Sequence, residues 1–124
     1  MVAVLDHLSI QVRDFAASAA FYDTVLAPLG GQRMLDFGEV VGYGTDRPTF
    51  WIGPATTEGE PREVHLAFIA VDRAAVHAFF DAAVATGAEV LHEPRVRPEY
   101  HPTYYGGFVR DPDGNNVEAV CHAP

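Results

Sequence analysis

The sequence predicts an α+β fold of two βαβββ modules. Three observations carry that prediction: a gapless internal repeat, strand alternation that gives way to a helical apolar stripe in each copy, and turn chemistry between the segments that follow. The stretch opening at His7 matches the stretch opening at His65 at a constant offset of 58 residues, and self-similarity at a fixed period marks a repeated structural unit. Leu8 falls on Leu66, Asp14 on Asp72, Ala16 and Ala17 on Ala74 and Ala75, Phe21 on Phe79, Tyr22 on Phe80, and Asp23 on Asp81. The 124 residues have the length of one domain. It divides into a first module over 1–54, a linker over 55–62 whose Gly, Pro and polar residues suit a loop, and a second module over 63–124.

Each module opens on a strand. Leu8, Ile10 and Val12 alternate with His7, Ser9 and Gln11, as in a strand covered on one face; Leu66, Phe68 and Ala70 alternate with His65, Ala67 and Ile69 less strictly. Asp14 and Asp72 then stand where a carboxylate accepts from an orphan amide at a helix start. In the second helix Val76, Phe79, Phe80, Ala83 and Val84 form an apolar stripe that Gly87 ends; Phe21, Tyr22, Val25 and Leu26 take the corresponding places in the first, which ends at Pro28 to Gly31. Three strands follow each helix: Arg33 to Phe37, Glu39 to Tyr43 and Thr49 to Ile52, then Glu89 to Glu93, Tyr105 to Arg110 and Asn116 to His122. Asp111-Pro-Asp-Gly-Asn115 is the clearest turn, with proline presetting φ and glycine accepting a positive one. A helix covers one sheet face only, so the modules are expected to join their other faces into a concave trough around a central pocket.

Eight Lys and Arg against seventeen Asp and Glu give a net charge of -9. Such a field repels phosphate backbones and anionic membranes, so neither nucleic acid nor a membrane is expected as a partner. No apolar run approaches the roughly 20 residues of a membrane helix, and the N-terminus lacks a signal-peptide pattern; a cytoplasmic location is the expectation. The single cysteine, Cys121, has no internal disulfide partner and alternates with Val117 and Ala119 as a buried apolar residue.

Alternation places His7 and His65 on the faces turned away from the helices, at equivalent positions of the repeat, and Glu118 lies on the last strand between Asn116 and Val120. Two imidazoles and one carboxylate suit a first-row divalent cation, with further positions left for water or substrate. The Pro- and Tyr-rich stretch Pro94 to Gly107 has the composition of a lid. His101 is its candidate acid or base, Tyr100, Tyr104 and Tyr105 its candidate hydrogen-bond donors to a substrate oxygen, and Arg95 and Arg97 its candidate carboxylate holders.

These residues resemble the vicinal oxygen chelate superfamily, which includes glyoxalase I, bleomycin-resistance proteins, fosfomycin-resistance enzymes and extradiol dioxygenases. The carriers are Asp6-His-Leu8, Val64-His-Leu66, Phe21-Tyr22 and Asp111-Pro-Asp-Gly-Asn-Asn-Val-Glu118, and together they span nearly the whole chain. The resemblance implies His7, His65 and Glu118 as ligands of a divalent metal of the Fe, Mn, Zn or Ni class. It further implies a homodimer, a small-molecule substrate bound through neighbouring oxygens, and Lewis-acid chemistry of the lyase, isomerase or dioxygenase kind. His101 and Tyr105 are then the candidate catalytic residues, and Trp51, Tyr104 and Arg97 the candidate pocket.

The pattern departs at one place. Members resembling glyoxalase I use a fourth protein ligand on the last strand of the first module, where this chain has Trp51 opposite Glu118, so the ligand set is closer to that of the extradiol dioxygenases. The alternative reading is a binding protein of the bleomycin-resistance kind, sequestering a ligand on Trp51, Tyr104 and Tyr105 without catalysis.

Overall fold

The computed structural model describes residues 4–124, so the first three positions of the first module lie outside the described residues. The first module runs β1 (Leu8–Val12), α1 (Phe15–Leu26), a 3-10 turn at Ala27–Leu29, β2 (Gln32–Asp36), β3 (Val41–Gly44) and β4 (Pro48–Pro54). The second runs β5 (His65–Ile69), α2 (Arg73–Ala85), β6 (Val90–Val96), β7 (Tyr105–Arg110) and β8 (Asn116–Cys121). Both helices start as the aspartates predict: Asp14 Oδ1 accepts from Ala17 N at 3.0 Å and Asp72 Oδ1 from Ala75 N at 2.8 Å. Four expected strands change length: β3 and β8 shorten, and β4 and β6 extend. The first expected β3 residues instead close a turn in which Phe37 N donates to Val40 O at 2.9 Å and Asp36 Oδ1 accepts from Gly38 N at 2.9 Å. Strand β6 continues to Val96 because it is an edge strand, where Pro94 needs no inward amide.

The repeat is visible in the topology. The sheets have the orders β1-β4-β3-β2 and β5-β8-β7-β6, with the first and last strands of each module parallel and the other pairs antiparallel. Ser9 lies opposite Trp51 and Ala67 opposite Glu118, so Trp51 and Glu118 occupy equivalent points of the two modules.

Helix-side residues make one continuous core. Tyr22, Val25, Ile52, Val76, Phe79, Ala83 and Val117 have no solvent exposure at all; a fully buried Val or Phe contributes roughly 1.5–3 kcal/mol. The modules meet through this side. The Phe50 ring packs edge-on against Phe68 at 5.2 Å, and the Tyr22 hydroxyl donates to Asp111 Oδ2 at 2.6 Å across the boundary. Burial, then the neighbouring Asp111 carboxylate, pushes the Tyr22 hydroxyl far above the usual tyrosine range. Asp111 is held in turn by the amides of Asp113 and Asn115 and by Asn115 Nδ2, each at 2.9 Å, which ties the Asp-Pro-Asp-Gly turn to α1.

With both helix-side faces spent on that shared core, the open faces lie on the outside of the chain. No strand of one sheet pairs with a strand of the other among the described residues. The trough expected between the modules is therefore not closed within a single chain: each module presents its own open face. No helix among the described residues is long and apolar enough to cross a membrane.

Candidate functional site

The open face of the second module is built around a carboxylate. Glu118 on β8 is completely buried, which an unpartnered carboxylate would not tolerate. Its partners are close: His65 Nε2 lies 2.7 Å from Oε1, and the Tyr104 hydroxyl donates to Oε2 through a short bond. Gly106 makes the room, since a Cβ there would stand 2.8 Å from Oε2. Burial, then the bond to Glu118, drives the Tyr104 hydroxyl well above the ordinary tyrosine range, so it remains a proton donor at every physiological pH. Phe108 faces Glu118 in register and forms the floor. Around its ring stand His65 at 5.9 Å, His92 at 5.4 Å and the Arg97 guanidinium at 4.7 Å.

The equivalent point of the first module is aromatic. Trp51 lies over Gly42, where a Cβ would meet its ring at 2.8 Å, and Phe37 stacks beside it at 6.2 Å with only 5° between the planes. His7 stands apart on this module, exposed, with Nδ1 2.8 Å from Asp6 Oδ1. Arg47 approaches the same carboxylate at 3.3 Å. The bond from His7, followed by Arg47, holds the Asp6 carboxyl below its ordinary value, so Asp6 is a carboxylate that accepts from Nδ1–H, the tautomer that leaves the Nε2 lone pair free.

The structure thus brings His65, Glu118, Tyr104 and Arg97 to one face; Trp51 lies on the other module's open face, and three further expected site residues stand elsewhere. Tyr105 does not face the carboxylate. It pairs in register with Cys121 on the helix side, where its hydroxyl meets His77 Nε2 at 2.6 Å and Arg73 lies 4.7 Å over its ring; adjacent strand residues point to opposite faces, so Tyr104 takes the inward place. His101 is exposed in the loop after β6, its Nδ1 accepting from Thr103 N at 3.2 Å. Its ring reaches Tyr104 only through His122, at 5.9 and then 5.2 Å. His7 is the third.

The donor set fits a divalent cation in kind but only partly in place. His65 Nε2 and Glu118 Oε1 lie at hydrogen-bonding distance, 2.7 Å, and among the described residues no three His, Cys, Asp or Glu side chains gather closely enough to hold a metal ion. A single chain supplies two donors of a 2-His-1-carboxylate set. A cavity of about 440 Å³ does exist elsewhere, beneath the 55–64 segment and lined in part by Gln11, Arg13, Glu60 and Asn115.

Sequence reasoning missed Phe108, His92, Phe37 and Asp6. Alternation outward from Glu118 would have placed Phe108 on its face, but only with the cross-strand register in hand; nothing local marked Phe37 as a stacking partner of Trp51.

The model of the Glyoxalase/Bleomycin resistance protein/Dioxygenase superfamily matches residues 4–119. A glyoxalase/bleomycin resistance protein from Albidiferax ferrireducens is 27% identical, with a TM-score of 0.84 over 96% of this chain and 99% of that one. A putative glyoxalase from Bacillus halodurans is 25% identical, with a TM-score of 0.72 over 95% of each chain. The lactoylglutathione lyase of Agrobacterium tumefaciens shares the fold, at 24% identity and a TM-score of 0.70 over 96% of this chain and 92% of that one. A search of curated proteins found no match.

Proposed function

The chain belongs to the glyoxalase/bleomycin resistance protein/dioxygenase superfamily, and from that premise we propose that it is a metal-dependent enzyme acting on a small organic molecule with neighbouring oxygens. The observation that carries the reading is the buried Glu118 carboxylate, held at 2.7 Å by His65 and on its other oxygen by Tyr104. His65 and Glu118 would supply two ligands, and His7 of a second copy the third, in a homodimer that sets the first module of one chain against the second module of the other. The freed Nε2 of His7, with Asp6 behind it, suits that role.

A divalent cation of the Fe, Mn, Zn or Ni class would supply Lewis acidity toward a carbonyl or enolate oxygen there. Glu118 offers acceptor oxygens inside a dry wall, Tyr104 keeps its proton and orients one of those oxygens, and Phe108 excludes water from beneath the pair. Charge developing on a substrate oxygen is stabilised more strongly in such an enclosed site than in water.

Zinc titration of untagged protein, with the oligomeric state measured by light scattering, tests the proposal. Wild type takes up about one ion per chain as a dimer, and His7→Ala, His65→Ala and Glu118→Ala each lose it. Mixing the His7→Ala and Glu118→Ala chains restores uptake, because one of the two sites in the mixed dimer then has all three ligands. A wild-type protein that binds no metal, or a mixture that restores none, overturns the shared site. A second reading, sequestration of a flat ligand without metal, is favoured by the parallel Phe37–Trp51 pair, in which Phe37 is 70% exposed; retention of ligand by all three metal-free variants supports it.

A further inference from the structure

The guanidinium of Arg97 is the one buried cation of the second module's open face, and its hydrogen bonding is incomplete. Its side chain is 5% exposed. The charge stands 4.7 Å over the face of Phe108, an attractive placement that still leaves the in-plane N–H groups unused. Among the described residues Nε and Nη2 find no partner, and Nη1 comes no nearer than 3.7 Å to Glu99 Oε2. Among the described residues no hydrogen bond or ion pair joins it to Glu118, whose oxygens meet His65 and Tyr104. Buried donors left without a partner are destabilising.

Nε and Nη2 form one edge of the group, the edge that meets two coplanar oxygens at once. The same molecule shows that edge satisfied: Arg33 Nε and Nη2 reach Asp23 Oδ1 and Oδ2 at 3.2 and 2.6 Å. Arg97 presents the same fork, its Nε and Nη2 without a protein partner among the described residues. Its backbone is clamped by Arg97 N donating to Tyr104 O at 2.7 Å and by Arg97 O accepting from Tyr100 N and His101 N at 3.0 and 3.3 Å, so the side chain is held over the sheet by the 97–104 loop.

We infer that Arg97 receives a carboxylate of the substrate, which makes the substrate an organic acid whose carboxylate lies next to the oxygens that react. The inference rests on the reading that this face is the substrate site. Both nitrogens are enclosed, and bonds formed in that dry setting are strong.

The test uses the full chain freed of metal with EDTA, and oxalate as the probe against its uncharged analogue oxamide. Calorimetry shows oxalate bound at least tenfold more tightly than oxamide, and Arg97→Lys, which keeps the charge without the fork, loses at least tenfold in oxalate affinity. In the wild-type chain the Arg97 Nε–H resonance shifts on oxalate addition, a reading that needs no variant to fold. Equal affinity for oxamide, unchanged affinity in Arg97→Lys, or an unmoved Nε–H resonance overturns the inference. If the wild type takes up no zinc, the metal reading fails while the metal-free oxalate measurements still decide Arg97.

Discussion

The two modules share a backbone plan and differ in what they carry on their open faces. Toward the helices the copies are close: Phe21 and Phe79 are equivalent and both buried, and Asp14 and Asp72 cap equivalent helices. On the open faces they diverge. Where the second module holds the buried Glu118 with His65 and Tyr104, the first holds Trp51 laid over Gly42 and stacked with Phe37. The comparison teaches that folding constrains the helix-side face of each sheet and leaves the other free, so that a duplicated module keeps its architecture while one copy becomes polar and the other a flat apolar wall.

The prediction with the largest effect on stability attacks the shared face. Phe79→Ala and Phe21→Ala each remove a buried ring from the common core and should lower the unfolding free energy by about 3–5 kcal/mol, read from urea denaturation. Similar losses in both keep the modules equivalent in folding; a tolerated Phe21→Ala would break that equivalence and make the first module an appendage of the second.

Next comes the place where the copies differ inside the core. Tyr22 has Phe80 as its apolar counterpart, and only the tyrosine reaches across the boundary, to Asp111. Tyr22→Phe removes a hydrogen bond to a charged group and should cost about 2 kcal/mol. It should also change the alkaline limit. The folded hydroxyl titrates above its unfolded value of 10.0, so its contribution is fully present below pH 10 and is lost as pH rises beyond that, where the unfolded chain releases the proton first. Wild-type stability therefore falls above pH 10 more steeply than that of Tyr22→Phe; parallel profiles would sink this account of the module boundary.

The glycines under the two open-face groups give a smaller, more local contrast. Gly42→Ala forces the Trp51 ring to move and Gly106→Ala displaces the Glu118 carboxylate, each Cβ arriving 2.8 Å from the atom above it. Both should lose about 1–2 kcal/mol, in line with a crowded position that relaxes. Their functional readouts separate. Gly42→Ala alters the emission of the chain's one tryptophan and leaves zinc affinity alone, whereas Gly106→Ala lowers zinc affinity and leaves the emission alone.

Much of this comparison was readable from residue order because helix-side burial leaves a periodic mark. The caps at Asp14 and Asp72, the stop at Gly87 and the span of β7 follow from local rules. The equivalence of Trp51 and Glu118 came from aligning the last strands of the two modules, and the strand register has it so. What failed to show was any property set between strands or between chains. Tyr104 and Tyr105 differ by one position, and only the pairing of Tyr105 with Cys121 tells which of them turns toward Glu118. His7 carries the right chemistry, but the direction in which its module's open face looks is decided by the Phe50–Phe68 and Tyr22–Asp111 contacts, which no local pattern encodes.

The smallest effect on stability belongs to Asp6, and there the contrast between folding and chemistry is sharpest. Its links to His7 and Arg47 lie on the surface, at 77% side-chain exposure for the aspartate, and exposed ion pairs of this kind contribute little to folding. Asp6→Asn should leave the urea midpoint where it is. The same substitution removes the carboxylate that fixes the Nδ1 proton of His7, and partners behind a ligand of this kind typically govern metal affinity by 10- to 100-fold. Zinc affinity should therefore drop by at least tenfold while the fold is untouched. Unchanged affinity would mean that His7 needs no orientation or is no ligand, and zinc titration of His7→Ala beside Asp6→Asn tells the two apart.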